Sequence, residues 1–297
     1  MALIKKYYKL YRAFPDPDYV YFENIATSGT CYFSINKNGT PASTDLSYSF
    51  DKTTWTDIHD GGQVIIPIGS KLYLRSSTGF SSGESSNYYS FGNSQNCIVG
   101  GNLMTLIDYE NANTLTNIPN YAFSHMFNQH SGGGLTINEL HTGNATTIGN
   151  YSFSWFVRYS NLNGNLTSLF ENVVSAGTNA FDSAFIGTSF NELPLFEKLT
   201  TVGEKTFWSA FQNMSNLRFV DFSKITTVGF RAFSSSFYGC SSLNEVKTPN
   251  ISSWNTTNFD GWLNGVASTG VVSKPAGLTI PTDNVSGIPT GWTTEDY

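Results

Sequence analysis

Few of the residues able to bind a metal, activate a nucleophile or move a proton are concentrated anywhere in this chain. The four histidines are His59, His125, His130 and His141, and the last three fall within seventeen residues, beside Glu139. Imidazole is the commonest zinc ligand, so the cluster raises the question of a metal site. Its spacing argues against one. In the repeat register set out below, His125 lies between two aromatic anchors, while His130 sits in the loop before Gly132-Gly133-Gly134. The three read as loop histidines, and neither a metal nor a cofactor is expected. The glycine run has no following Lys-Ser or Lys-Thr, which a phosphate-binding loop needs. Asp16 with Asp18, and Asp57 with Asp60, offer oxygen ligands to calcium but lack a regular acidic loop, so they read as turn residues. The other acids are scattered over different repeats and nominate no facing pair for glycoside cleavage. No Gly-x-Ser-x-Gly elbow occurs. No catalytic residue is nominated, and a non-enzymatic protein is expected.

The remaining chemistry is recognition by aromatic and amide groups. Tyr and Trp set among Asn and Ser make contact surfaces of low entropic cost. The candidates are Tyr88, Tyr89, Trp155, Tyr159, Trp208 and Tyr238, each with packing inside the molecule as its alternative. A second candidate surface is the lead at residues 1–18, where Tyr7, Tyr8 and Tyr11 follow Ile4 at helical spacing beside Arg12. The alternatives there are a frayed terminus and a docking peptide.

Composition bounds what can position these groups. The 297 residues are 39% hydrophobic and 15% aromatic but only 13% charged, enough for an extended core, and two folded units are expected. A net charge of −6 argues against a non-specific nucleic-acid binder, which needs a basic face. No apolar run approaches the length needed to cross a bilayer, and the N-terminus as written carries no secretory signal, so neither a membrane span nor Sec export is expected. Cys31, Cys97 and Cys240 are far apart and odd in number, and read as buried small hydrophobes.

From Tyr19 to Phe91 the apolar period is two. Cys31/Phe33/Ile35, Leu46/Tyr48/Phe50, Val64/Ile66/Ile68 and Leu72/Leu74 predict half-buried strands. Hairpins are expected at Asn36-Lys37-Asn38-Gly39, Asp51-Lys52 and Asp60-Gly61-Gly62, giving a small antiparallel β-sandwich over residues 19–91. Residues 76–96, rich in Ser, Gly and Asn, read as a long loop or linker region.

The second half is governed by an internal repeat. A Phe preceded by a small residue recurs at Phe123, Phe153, Phe181, Phe207, Phe233 and Phe259, with spacings of 30, 28, 26, 26 and 26 residues. A second large apolar residue follows four positions later, with Phe156 standing in where the spacing gives Val157. Before the anchor comes a β-branched residue followed by Gly149, Gly203 or Gly229, a glycine expected to supply positive φ. After it comes a strand-like run: Phe190/Leu193/Leu195, Leu217/Val220/Phe222, Leu243/Val246/Thr248. Such units bury their apolar faces only by stacking, which predicts a solenoid threaded by Phe rings. Trp254, Trp262, Trp292 and three prolines mark a terminal cap, expected to keep the last strand from being an open edge.

The units "LTTVGEKTFWSAFQNMSNLRFVDF" and "ITTVGFRAFSSSFYGCSSLNEVKTP" resemble the BspA-like, or treponemal-type, class of leucine-rich repeat. That class pairs an Ile-Gly turn with an Ala-Phe anchor and a later Leu-x-x-Val strand. The ending at 262–293 is similar to the C-terminal cap of such arrays in gut bacteria and their phages, and "CIVGGNLMTLID" to the segment that opens them. The resemblance implies a mainly β fold with short helical turns: a small antiparallel β-sandwich followed by a leucine-rich-repeat solenoid of about six repeats. Its divisions are a docking lead at 1–18, the sandwich at 19–91, a linker and N-terminal cap at 92–114, repeats at 115–265 and a C-terminal cap at 266–297. It further implies an adhesion or binding scaffold. With no export signal, the expected setting is a phage virion. There the lead would dock to other virion proteins and the repeats would contact a host surface glycan or protein. The alternative is a bacterial cell-surface or secreted adhesin. Neither nucleic acid nor membrane is expected as a partner, and self-association into a homo-oligomer is left open.

Overall fold

The computed structural model describes residues 19–39, 45–59, 61–76, 79–80, 83–84, 87–93, 97–128, 135–160, 163–194 and 196–297. Tyr7, Tyr8, Tyr11 and Arg12 of the expected docking lead, the Asp16/Asp18 pair, Asp60, His130, Leu195 and the glycine run at 132–134 lie outside the described residues.

The fold is mainly β with almost no helix, and its larger part is a β-solenoid of about seven turns. With strands numbered in chain order, the first sheet runs β13 (Asn163–Gly164), β11 (Leu135–His141), β9 (Cys97–Asn102), β1 (Val20–Asn24), β6 (Lys71–Ser76), β3 (Leu46–Ser49), β4 (Thr56–Ile58). The second runs β5 (Gln63–Ile66), β2 (Cys31–Asn38), β8 (Asn87–Asn93), β7 (Gly83–Glu84). The third is parallel: β10 (Asn117–Ile118), β12 (Thr147–Ile148), β14 (Ser175–Ala176), β15 (Thr201–Val202), β17 (Thr227–Val228). The fourth, also parallel, is β16 (Phe219–Asp221), β18 (Glu245–Lys247), β19 (Gly270–Lys274), β20 (Trp292–Asp296).

The first two sheets share a core of alternating residues. Phe22 and Phe33 meet at 4.9 Å between ring centroids, and Phe33 and Phe91 at 5.1 Å. Of the three expected hairpins, only the Asp51-Lys52 turn joins two paired strands, β3 and β4. Asn36, Lys37 and Asn38 form no turn but end β2, paired with Ser90, Tyr89 and Tyr88 of β8, and the turn at 61–62 carries the chain from the first sheet to the second. Phe50 and Ile68, at the ends of the predicted alternations, are exposed. The stretch read as a long loop contains β8, paired with β2 over six residues. Tyr89 and Phe91 supply its inward period, which the intervening Asn, Ser and Gly disguise. Cys31 and Cys97 are not separate small hydrophobes: their sulfurs are bonded, tying β2 of one sheet to β9 of the other. Cys240 alone fits that reading. It is buried and free, its thiol donates to the Phe211 carbonyl at 3.0 Å, and burial pushes its pKa up to about 12.

Strand β9 also joins the two halves. It pairs antiparallel with β1 and parallel with β11, so one sheet continues into the solenoid. Phe127 of the first anchored coil touches both Phe22 and Phe91, and the buried residues form one continuous cluster from Val20 to Trp292.

Within the solenoid all six anchors are fully buried. Their rings follow one another at 5.2, 5.7, 5.4, 5.4 and 5.3 Å from Phe123 to Phe259. Phe156 does take the second slot of its coil, 5.4 Å from Phe127 and 6.5 Å from Phe185. Val220 and Val246 point inward from β16 and β18, whereas no strand forms at Phe190–Leu193.

The repeat glycines work differently from expectation. Gly149, Gly203 and Gly229 do not have positive φ. They are required because neighbouring coils touch there: a Cβ on Gly229 would lie 2.4 Å from the Gly203 carbonyl carbon, and one on Gly149 would lie 2.7 Å from the Asn120 nitrogen. Gly229→Ala is expected to destabilise the fold by about 2 kcal/mol through backbone displacement, as read by chemical denaturation. A change within about 0.5 kcal/mol would remove the close-packing role.

The C-terminal segment extends the fourth sheet by two parallel strands, so among the described residues β20 is itself an edge rather than a closure. Exposed Glu295 and Asp296 sit on that edge, where charge discourages edge-to-edge pairing. The cap tryptophans are anchored through their indole N–H groups, which donate to the carbonyls of Ser286 (Trp254), Gly287 (Trp262) and Ala267 (Trp292). Asp283 accepts from the backbone amides of Val285, Ser286 and Gly287, and those bonds hold its carboxyl below the ordinary range against the opposing effect of burial.

Candidate functional site

The anchors lie on a third face of the solenoid, which is neither helix nor sheet. In the coil around Phe207, the amides of Lys205, Phe207, Ser209, Phe211 and Asn213 donate to carbonyls of the next coil, those of Phe230, Ala232, Ser234, Ser236 and Tyr238. The amides between them, from Trp208 to Met214, donate to the carbonyl three residues back. From Phe207 to Met214 every backbone N–H is thus used, alternately between coils and within a turn. The geometry needs a left-handed residue every fourth position: Lys205, Ser209 and Asn213 have φ of 51°, 52° and 60°. Their counterparts are Tyr151, Trp155 and Tyr159 one way along the stack, and Arg231, Ser235 and Gly239 the other. Each non-glycine residue there costs about 1–2 kcal/mol, which the inter-coil bonds offset. In return the outer side chains are fixed on a rigid backbone.

Those outer side chains form an aromatic and cationic strip. It begins at the junction with the first half, where the Phe91 amide donates to the Met126 carbonyl and holds β8 against the first anchored coil. Tyr88 then stacks on His125 at 4.0 Å and 14°, and His125 meets Trp155 at 5.2 Å. The Arg158 guanidinium lies 3.9 Å from the Trp155 ring centre and 4.6 Å from that of Tyr159. Tyr159 is half exposed and lies across the next coil at Gly187, where a Cβ would be 2.8 Å from its ring. Beyond it Asp182 accepts from Ser183 Oγ and Asn179 Nδ2, and Lys205 sits 5.0 Å from the centre of the exposed Trp208 ring. Tyr238 is exposed on the following coil.

The structure therefore joins three sequence candidates, Tyr88, Trp155 and Tyr159, through His125 and Arg158. Trp208 and Tyr238 continue on the same face farther along. Tyr89 belongs elsewhere: it is fully buried between the first two sheets, 6.5 Å from Phe80. His125, Arg158, Asp182 and Lys205 carried no recognition signal in the sequence, although each occupies a position near an anchor that the 26–30-residue register defines.

Charge on the strip is largely internal. Burial pushes the Asp182 carboxyl above its ordinary range, opposed by its hydrogen bonds and by Arg158 and Lys205. Burial, with Arg158 second, holds the His125 imidazole down at about 4. Between about 4 and its ordinary 6.5 the unfolded chain binds a proton at this residue that the folded chain refuses. His125 therefore contributes full stability above 6.5, and that contribution falls as pH drops toward 4. The expected loss is about 3 kcal/mol. Asp182 acts in the opposite sense, so the measurement is the difference between the parent chain and His125→Asn in denaturation at pH 7 and pH 4. An identical pH dependence in the two would overturn the assignment.

Among the described residues, no three His, Cys, Asp or Glu side chains gather into a group able to hold a metal ion. Nor is any helix there long and apolar enough to cross a membrane. His141 is committed locally, its Nδ1 accepting from the Gly143 amide. What the strip offers is flat ring surface, two cations and several amides and hydroxyls on a backbone that does not need to reorganise. No protein-family model, curated protein or solved structure matches the chain.

Proposed function

We propose that this protein is a non-enzymatic binding scaffold built on a BspA-like leucine-rich-repeat solenoid, with the first two sheets as a small spacer sandwich. In this reading it is a virion protein whose lead docks to other virion components and whose strip contacts a host surface glycan or protein. The observation that carries the reading is the run of exposed Tyr159, Trp208 and Tyr238 on the rigid turn face, beside Arg158 and Lys205. Aromatic rings and cations fixed at low entropic cost are the usual means of gripping sugars and protein surfaces. Several weak contacts displayed in many copies would supply avidity.

The test is adsorption of the purified protein to host cells and to isolated envelope polysaccharide, compared with a Tyr159→Ala, Trp208→Ala, Tyr238→Ala triple variant. The expected result is at least a tenfold loss of adsorption, with the thermal midpoint little changed because all three rings are exposed. Equal adsorption by the variant would remove the strip from the function. The Cys31–Cys97 bond favours a second reading, a bacterial surface or secreted adhesin, since disulfides persist in oxidising compartments. Mass spectrometry of purified particles and of bacterial envelopes separates the two by where the chain is found.

A further inference from the structure

Two of the three ladders of the solenoid run on past the Phe233 coil, and one stops. The turn face continues, with Phe233, Ser235, Phe237 and Gly239 donating to Asn258, Asp260, Trp262 and Asn264. The fourth sheet continues from β18 to β19 and β20. The third sheet ends at β17. In every earlier rung a coil offers two carbonyls and the next coil fills them. Thr146 O accepts from Val174 and Ser175, and Ile148 O from Gly177; Val174 O accepts from Thr200 and Thr201, and Ala176 O from Gly203; Thr200 O accepts from Thr226 and Thr227, and Val202 O from Gly229. The corresponding carbonyls of β17 are those of Thr226 and Val228, and among the described residues no donor reaches either.

The cause lies in the sequence. The residue 26 positions after Gly229 is Asn255, in a column that opens with Pro119 in the first coil and then holds Gly149, Gly177, Gly203 and Gly229. A side chain in that column collides with the preceding coil, as the 2.4 Å contact at Gly229 shows. The chain swings away instead, Trp254 stacks on Phe259 at 3.7 Å, and a groove of about 790 Å³ opens beside β17. Thr226, Val228, Asn250, Ser252, Ser253 and Gly277 are among its walls, and no charged residue lines it. Its volume is within the range of sites that hold ligands.

We propose that this groove is a strand-addition site for an uncharged, extended peptide segment of a partner protein. The segment lies parallel to β17 as the missing rung. Its chemistry is set by the filled rungs: backbone N–H donors for Thr226 O and, two to three residues on, for Val228 O, with small or β-branched side chains and no charge. Main-chain bonding to a sheet edge is an established means of peptide capture. The site lies on a different face from the aromatic strip and stands whether or not that strip binds.

The probe is an acetylated, amidated peptide copying residues 199–203, Leu-Thr-Thr-Val-Gly, titrated into the intact, isotopically labelled protein and followed by backbone amide resonances. The expected result is a saturable shift confined to Thr227, Val228, Gly229 and residues 250–255, with an apparent Kd at or below about 1 mM. The same peptide methylated on the amide nitrogens of both threonines and its glycine keeps the side chains but loses the donors that fill the earlier rungs, and is expected to bind at least tenfold more weakly. No saturable shift at those residues, shifts centred elsewhere, or binding of the methylated peptide within threefold of the parent would overturn the proposal. So would a neutral glucose oligomer that saturates the groove where the peptide does not.

Discussion

Phe207→Ala is expected to cost about 3–5 kcal/mol of unfolding free energy, the range for deleting a buried aromatic ring that its surroundings cannot replace. Phe207 is fully buried and touches five rings: Phe181 and Phe233 in the neighbouring coils, and Phe196, Phe211 and Phe222 around it. Phe181, Phe211 and Phe233 are held by inter-coil hydrogen bonds on the turn face, so their collapse into the cavity would have to break the ladder. Phe123 is an internal control. It is equally buried but, among the described residues, meets the ring of Phe153 alone, and the same substitution there should cost less. Equilibrium denaturation of both variants checks the ordering. A Phe207→Ala cost below about 1 kcal/mol, or no difference between the two, would mean that the ring column does not carry the solenoid.

Reducing the Cys31–Cys97 bond is expected to remove about 4 kcal/mol, since the bond closes a loop with a sequence separation of 66 residues. The effect should be local at first. Strand β2 belongs to the second sheet and β9 to the first, so reduction loosens the two sheets against each other. Solenoid units held by nearest-neighbour contacts can keep their structure while one end opens. Hydrogen exchange with and without reductant should therefore show early loss of protection in β2 and β8, with β18 and β19 protected. Uniform behaviour across the chain, or no change on reduction, would show that the bond adds nothing to the joint.

Much of the second half could be read from its repeat. The 26–30-residue spacing placed the six anchors in one buried column, and the substitution of Phe156 for Val157 was visible as a shift of one position. The glycine column was visible too, but its reason was not. The sequence shows that glycine recurs; only the stacking of coils shows that it is there because carbonyl carbons approach within van der Waals distance, while the left-handed positions fall to Lys205, Ser209 and Arg231. A per-residue preference for glycine at positive φ pointed to the wrong positions, because inter-coil hydrogen bonding outweighs that preference here.

The first half was less legible. Alternation identified β2, β3, β5 and β6, since a two-residue period is a local property. Which strands pair is not local: the expected hairpin residues Asn36 to Asn38 lie inside β2, and the turn at 61–62 passes between sheets. The Cys31–Cys97 bond was hidden for the same reason: two cysteines 66 positions apart become neighbours only once two sheets face each other.

Sequence by itself determined the period, the inward faces and the columns of the solenoid, because side-chain burial repeats with the coil and needs no long-range information. Tertiary structure alone decided which outer side chains meet. His125, Arg158 and Tyr159 became a strip with Tyr88 and Trp155, Tyr89 turned into the core, and Asn255 opened the edge of β17. Each outcome depends on contacts between coils or sheets, whose distances no single stretch of sequence contains.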